Sequence, residues 1–172
     1  DYPVMYTPNE PEYYLRRSFE KKYSRSGVPF IDGACTTKSN NLVIHGHNMR
    51  NGTMFSELLK YADKDFFYNH QLISFQDMDG ENIYQVIAAF YTQVYSEDKE
   101  GVFRYYKYFG DLDKAEMEEY LRNVRQASLF AAECEFDADD SFMTLSTCAY
   151  QTDDGRFVVV AKKAENKSAS EG

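Results

Sequence analysis

The sequence predicts a mainly β fold, a barrel or curled sheet with helices inserted in its connections. Three observations point there. Pattern reading finds roughly seven strand-like stretches against two or three helical ones. Tyr (15) and Phe (13) are abundant while Trp is absent, and aromatic side chains favour a pleated, half-buried surface. Adjacent strand-like stretches can pair antiparallel. With 172 residues and neither an internal repeat nor a linker, one domain is expected, burying roughly 70% of the unfolded chain's surface.

The elements follow in order. Residues 2–6 read as a strand ended by Pro8 and Pro11, and residues 12–19 as a short helical turn. A short apolar stretch, 28–31, precedes Asn40-Asn41 and the strand Leu42-Val43-Ile44-His45, which runs into Gly46-His47-Asn48-Met49. Asn51-Gly52 signals a turn. Beyond it Met54, Phe55, Leu58, Leu59, Ala62 and Phe66 recur at helical spacing. Residues 71–75 and 83–95 read as strands around a turn at 77–80. The aromatic and basic stretch 102–109 reads as a half-buried strand. Asp113 and Glu116 have capping-box spacing, and Met117, Tyr120, Leu121, Val124 and Ser128 keep one helical face, so a helix is expected over 113–130. Residues 142–150 and 156–161 read as strands, and the Asp154-Gly155 step makes them a hairpin.

Composition narrows the function. Lys plus Arg is 19 and Asp plus Glu 28, a formal charge of −9, which argues against nucleic acid as a partner because phosphates demand clustered cations. The longest apolar run, 86–91, has six residues against the roughly 20 a bilayer span needs. The first residues lack the basic and apolar regions of a signal peptide and read like a strand reached from upstream, so the chain is expected to be trimmed from a longer precursor. Residues 164–172 are polar and small and read as a disordered tail, leaving a domain over 2–163. The cysteines Cys35, Cys134 and Cys148 have no C-x-x-C pair, against a zinc ribbon or thioredoxin-type site, and the odd count leaves a free thiol. A disulfide between Cys134 and Cys148 is one reading; three buried small hydrophobes is another. No acidic stretch has EF-hand spacing.

Three residues stand out for chemistry: His47 at a strand end, Cys148 within a strand and Arg156 at the start of the next. Cys148 and Arg156 flank the hairpin, which can bring them together. An ionised thiol is the strongest side-chain nucleophile. Imidazole exchanges protons near neutrality. Guanidinium, always charged, suits a carbonyl oxygen or oxyanion. Together they describe acyl transfer through a thioester. Competing readings remain at this level. His45 and His47 share a strand face, as metal-binding pairs do, although no motif places a third ligand. Arg156 can be a plain surface charge. His70, beside Phe66-Phe67-Tyr68, suits packing or the surface.

The words around these residues carry a resemblance. Asn41-Leu42-Val43-Ile44-His45-Gly46-His47-Asn48-Met49, followed by Gly52-Thr53-Met54-Phe55 and Leu58, resembles the histidine segment of sortases, especially class B. Thr144-Leu145-Ser146-Thr147-Cys148, then Gly155-Arg156-Phe157-Val158-Val159, is similar to their cysteine and arginine strands. Tyr2-Pro3-Val4 and Tyr14-Leu15-Arg16-Arg17-Ser18-Phe19 resemble the family's first segment. The likeness runs from Tyr2 to about Lys163. A helix before the cysteine strand is a class B feature; class A has a shorter loop there. The N-terminal helices usual in class B and a membrane-spanning anchor are expected to lie outside this stretch, as in a truncated chain.

The resemblance implies a sortase-type closed β-barrel and a cysteine transpeptidase on the extracellular face of a Gram-positive plasma membrane. Cys148 is implied to attack the backbone carbonyl of a C-terminal sorting signal, His47 to protonate the departing amine and deprotonate the incoming one, and Arg156 to hold the oxyanion. Ala149 is implied as a backbone oxyanion donor, Ser146 and Thr147 as signal contacts, and Leu15 as a pocket wall. No cofactor or metal is implied. The partners are a sorting-signal peptide of a surface protein or pilin and an amine acceptor, a peptidoglycan cross-bridge or a pilin lysine. Wall anchoring and pilin polymerisation share these residues. The rival from another class is a non-catalytic protein binding metal or a ligand through His45 and His47.

Overall fold

The computed structural model describes residues 1–49, 52–148 and 154–165, with the backbone alone at Cys148. Six strands form one curled sheet: β1 (Phe30–Ile31), β2 (Asn41–Gly46), β3 (Leu72–Asp77), β4 (Gly80–Gln93), β5 (Phe142–Cys148) and β6 (Gly155–Lys163). Their spatial order is β1-β2-β5-β6-β4-β3. The sheet is a half-barrel. β1 and β3 are its end strands, and no pairing joins them among the described residues. All neighbours are antiparallel except β2 and β5, which run parallel. A parallel pair needs a crossover, and here it contains β3, β4 and the helix α2 (Lys114–Ala127).

β5 and β6 lie at the middle of the order, and β6 buries Phe157 through Ala161 without a break, the signature of a strand covered on both faces. One cover comprises a 3₁₀ helix, Phe55–Ala62, and α1 (Lys64–Asn69). Beneath it Leu42, Ile44, Met143, Leu145, Phe157 and Val159 form an apolar cluster. The other cover is α2, whose Met117, Tyr120, Leu121 and Val124 pack on Phe142, Val158 and Val160. α2 begins at the expected capping box: Asp113 accepts from the Glu116 N–H, and the Glu116 side chain accepts from the Asp113 N–H. A register shift between Val86 and Ala88 interrupts the β4–β6 ladder, the kind of irregularity that bends a strand.

Several expectations are corrected. The strand over 2–6 is reduced among the described residues to one bridge, Met5 with Phe30. The helical spacing over 54–66 resolves into the 3₁₀ helix and α1, separated at Asp63. That residue leaves helical geometry and caps α1 by accepting from the Phe66 N–H at 2.9 Å. The stretch 102–109 is not a strand. Lys107 and Tyr108 donate to Arg104 and Tyr105 within the stretch, making a 3₁₀ turn, Tyr105–Lys107. Arg104 Nη2 ties that turn to the Ser96 and Lys99 carbonyls. Cys134 is a free thiol, so the Cys134–Cys148 disulfide is not formed. Cys35 is buried, and that burial pushes its thiol pKa up. The Asn51 half of the expected turn and the tail from 166 onward lie outside the described residues; Ala164 still donates to Ile83.

Candidate active site

The site lies where β2, β5 and β6 end together. His45 stands opposite Ser146 and Gly46 opposite Thr147 in the parallel pair. In the hairpin, Cys148 and Arg156 are register partners, so eight residues of sequence separation become adjacent rungs. Gly46 has a specific reason to lack a side chain: a Cβ there would stand 2.6 Å from ring carbons of Phe55. Phe55 in turn donates its N–H to the His47 carbonyl at 2.9 Å, and Asn48 bridges to Met54. The backbone carrying the imidazole is therefore pinned as it leaves the strand.

His47, Arg156, Ser146, Thr147 and Leu15, five of the seven residues singled out from the sequence, line one cavity of about 860 Å³. For Cys148 the register gives the backbone position alone. Ala149 lies outside the described residues. The cavity groups differ in how their polar atoms are satisfied. Arg156 Nη1 donates to the Gly155 carbonyl at 2.9 Å. The Ser146 hydroxyl, on a residue only 2% exposed, pairs with Tyr105 Oη at 2.6 Å. Thr147 is equally buried, and its Oγ1 has no hydrogen-bond partner among the described residues. His47 Nε2 lies 2.7 Å from the Leu15 carbonyl oxygen; a carbonyl only accepts, so Nε2 carries a proton.

A second imidazole shares the cavity wall. His45 Nε2 lies 3.0 Å from Asp32 Oδ2, and that hydrogen bond holds the Asp32 carboxyl below the usual carboxylate range against the opposing effect of burial. The two histidines thus direct their Nε2 atoms to different acceptors. No group of three or more His, Cys, Asp or Glu side chains suited to a metal occurs among the described residues. His70 stacks on Phe66 with centroids 3.9 Å apart at an exposed position, within the packing or surface role expected for it.

Three participants escape a reading of the sequence. Asp32 reaches His45 only through the β1–β2 pairing, with Phe30 opposite His45, and no local motif marks it. The strand expected over 102–109 hides the inward hydroxyl of Tyr105. At Leu15 the sequence points to the side chain, whereas the carbonyl is what touches the imidazole.

The Sortase domain family matches residues 12–164. Sortase B of Listeria monocytogenes is 31% identical over 166 residues, covering 94% of this chain and 64% of that protein. A Staphylococcus aureus sortase B–substrate complex superposes with a TM-score of 0.80 at 28% identity, covering 96% of this chain and 74% of that one. A sortase B structure complexed with triglycine gives 0.82 at 28%, covering 96% and 75%. The chain spans 64% of the length of the curated relatives it matches. No helix among the described residues is long and apolar enough to cross a membrane. The family match over most of the domain, the mainly β architecture with a helix before the cysteine strand, and the histidine and arginine facing one cavity agree: the chain belongs to the sortase family, as a class B catalytic domain.

Proposed function

We propose that this domain is a cysteine transpeptidase that cleaves a C-terminal sorting signal and transfers the acyl group to an amine. The observation that carries the reading is the single cavity holding His47 and Arg156, with Arg156 the register partner of Cys148. In the first half-reaction the Cys148 sulfur, as thiolate, attacks a backbone carbonyl of the signal. Negative charge moves to the carbonyl oxygen, where the Arg156 guanidinium and the Ala149 N–H stabilise it. The C–N bond breaks as His47 gives a proton to the departing amine, leaving a thioester. In the second half-reaction an incoming amine attacks the thioester, His47 takes its proton, and the sulfur leaves. Arg156 is never a base; His47 alone cycles its proton.

Supporting the substrate class, sortase B relatives have been captured with a substrate and with triglycine. We assign Leu15, Ser146 and Thr147 to the signal subsite. The Thr147 hydroxyl, unpartnered among the described residues, suits a peptide group, since a buried hydroxyl gains most from a partner supplied on binding. The partners are the sorting signal of a surface protein and a cell-wall amine, met at the outer face of the plasma membrane by residues 2–163 as the working domain.

The test is mass spectrometry of the protein with sorting-signal peptides of N-P-x-T-N and L-P-x-T-G type. The expected result is an acyl adduct on Cys148, discharged to the triglycine or hydroxylamine product when amine is added. Formation of the hydrolysed acid alone at high amine would overturn the transpeptidase reading. Metal binding that survives Cys148→Ala and vanishes in His45→Ala would favour the non-catalytic rival.

A further inference from the structure

The 3₁₀ turn Tyr13–Arg16 presents four consecutive carbonyls, and each has its own partner. Tyr13 O accepts from Arg17 Nη1 at 3.0 Å. Tyr14 O accepts from the Val28 N–H at 3.1 Å, and Arg16 O from the Ser24 N–H at 3.0 Å. Those three bonds hold the turn to its own neighbourhood. The fourth carbonyl, Leu15 O, instead lies 2.7 Å from His47 Nε2. Gly27 backs the same oxygen: a Cβ there would stand 2.6 Å from Leu15 O and 2.6 Å from Tyr14 O, at a φ of +55°. The carbonyl is thus seated by glycine on one side and engaged by imidazole on the other.

We propose that the Leu15 main-chain carbonyl is the positioning group for His47, fixing the Nε2–H tautomer so that Nδ1 is the nitrogen that exchanges protons. The inference rests on His47 being the acid–base residue of the reaction above. Its logic is that of any imidazole whose second nitrogen is held by an acceptor: the bond chooses the tautomer and the ring orientation. A neutral carbonyl does this without adding a negative charge beside the imidazole, unlike Asp32 beside His45 in the same cavity. In the first half-reaction the Nδ1 proton passes to the departing amine, leaving neutral Nε2–H imidazole. In the second, Nδ1 takes the proton of the incoming amine. Nε2–H keeps its bond to Leu15 throughout, so the ring need not turn between the steps.

The assay is ¹⁵N NMR of the histidine-labelled protein through its pH titration, assigned by loss of signal in His47→Gln. The neutral His47 ring should give a pyrrole-type Nε2 and a pyridine-type Nδ1. Leu15→Ala, which keeps the carbonyl, should leave that signature in place. Gly27→Ala, which drives the carbonyl away, should mix the tautomers, lower kcat by about 10-fold or more and shift the pH profile of kcat. A pyridine-type Nε2 in the unaltered protein would overturn the proposal, as would a folded Gly27→Ala with unchanged tautomer and pH profile. If Gly27→Ala does not fold, the spectrum of the unaltered protein decides alone. Because the tautomer is read without substrate, its failure is distinguishable from absence of the Cys148 adduct, which would strike the enzyme assignment instead.

Discussion

The two faces of the curled sheet solve different problems. On the face beneath the 3₁₀ helix and α1, Leu42, Ile44, Met143, Leu145, Phe157 and Val159 meet Phe67 and Leu58 in a mainly apolar cluster. The face toward α2 is threaded by buried hydroxyls. Tyr120 donates to Thr144 Oγ1 at 2.5 Å, Thr144 donates to Asn41 Oδ1 at 2.9 Å, and Asn41 Nδ2 donates to the Tyr108 carbonyl at 2.6 Å. Burial pushes the Tyr120 pKa far up, so it stays a neutral donor. Two residues along β5 comes the Ser146–Tyr105 pair, and two residues further Cys148. The lesson is one of specification. Apolar burial is non-directional and supplies stability. A chain of satisfied hydrogen bonds tolerates one geometry, and it leads along β5 to the strand end that requires one.

That contrast can be broken in four places. The largest effect is expected on the apolar face, where Phe67→Ala should cost about 3–5 kcal/mol in denaturant unfolding while kcat/KM per folded molecule stays within a few-fold; a matching collapse of activity would mean the faces are not separable. Arg156→Ala reverses the pattern. Its kcat should fall about 10²–10³-fold with Tm nearly unchanged, and a large loss of Tm would recast the guanidinium as structural. On the hydroxyl face, Ser146→Ala removes the hydrogen bond between the Ser146 and Tyr105 hydroxyls and should cost about 1 kcal/mol. Adding Tyr105→Phe should recover part of it in a double-mutant cycle, and strict additivity would deny the coupling.

The smallest effect belongs to Asp32→Asn. Because the folded Asp32 carboxyl is held below its ordinary range, its contribution is present above the unfolded value of about 3.9 and is lost as pH falls through the folded one. The unaltered protein should therefore lose Tm more steeply than Asp32→Asn on acidification below about pH 4. Parallel curves would remove the Asp32–His45 bond from the account.

Local signals read well where a short-range force made the structure. The Asp113–Glu116 capping box rests on contacts within a few residues. Such signals fail where a distant partner overrides the pattern. Residues 102–109 carry strand-like aromatics, but Arg104 has the Ser96 and Lys99 carbonyls to bind, and Tyr105 has Ser146. Residues 2–6 read as a strand, yet among the described residues only Met5 forms a β-bridge, with Phe30. In the site, His47 and Arg156 are legible because their residue types carry the chemistry. Asp32 and the Leu15 carbonyl are not. One is an ordinary acid until β1 lies against β2, and the other is a backbone atom that every residue possesses.

By itself the sequence determined the strand patterns of β5 and β6, the cap that starts α2, and which side chains are chemically able to act as nucleophile, acid–base and oxyanion holder. The tertiary structure alone decided that the two histidines face different acceptors and that a main-chain oxygen from the first 3₁₀ turn meets the imidazole. The reason is range. Propensity, capping and turn chemistry act over a handful of residues, whereas a hydrogen bond between residues 15 and 47 exists only after the packed core has brought their segments together.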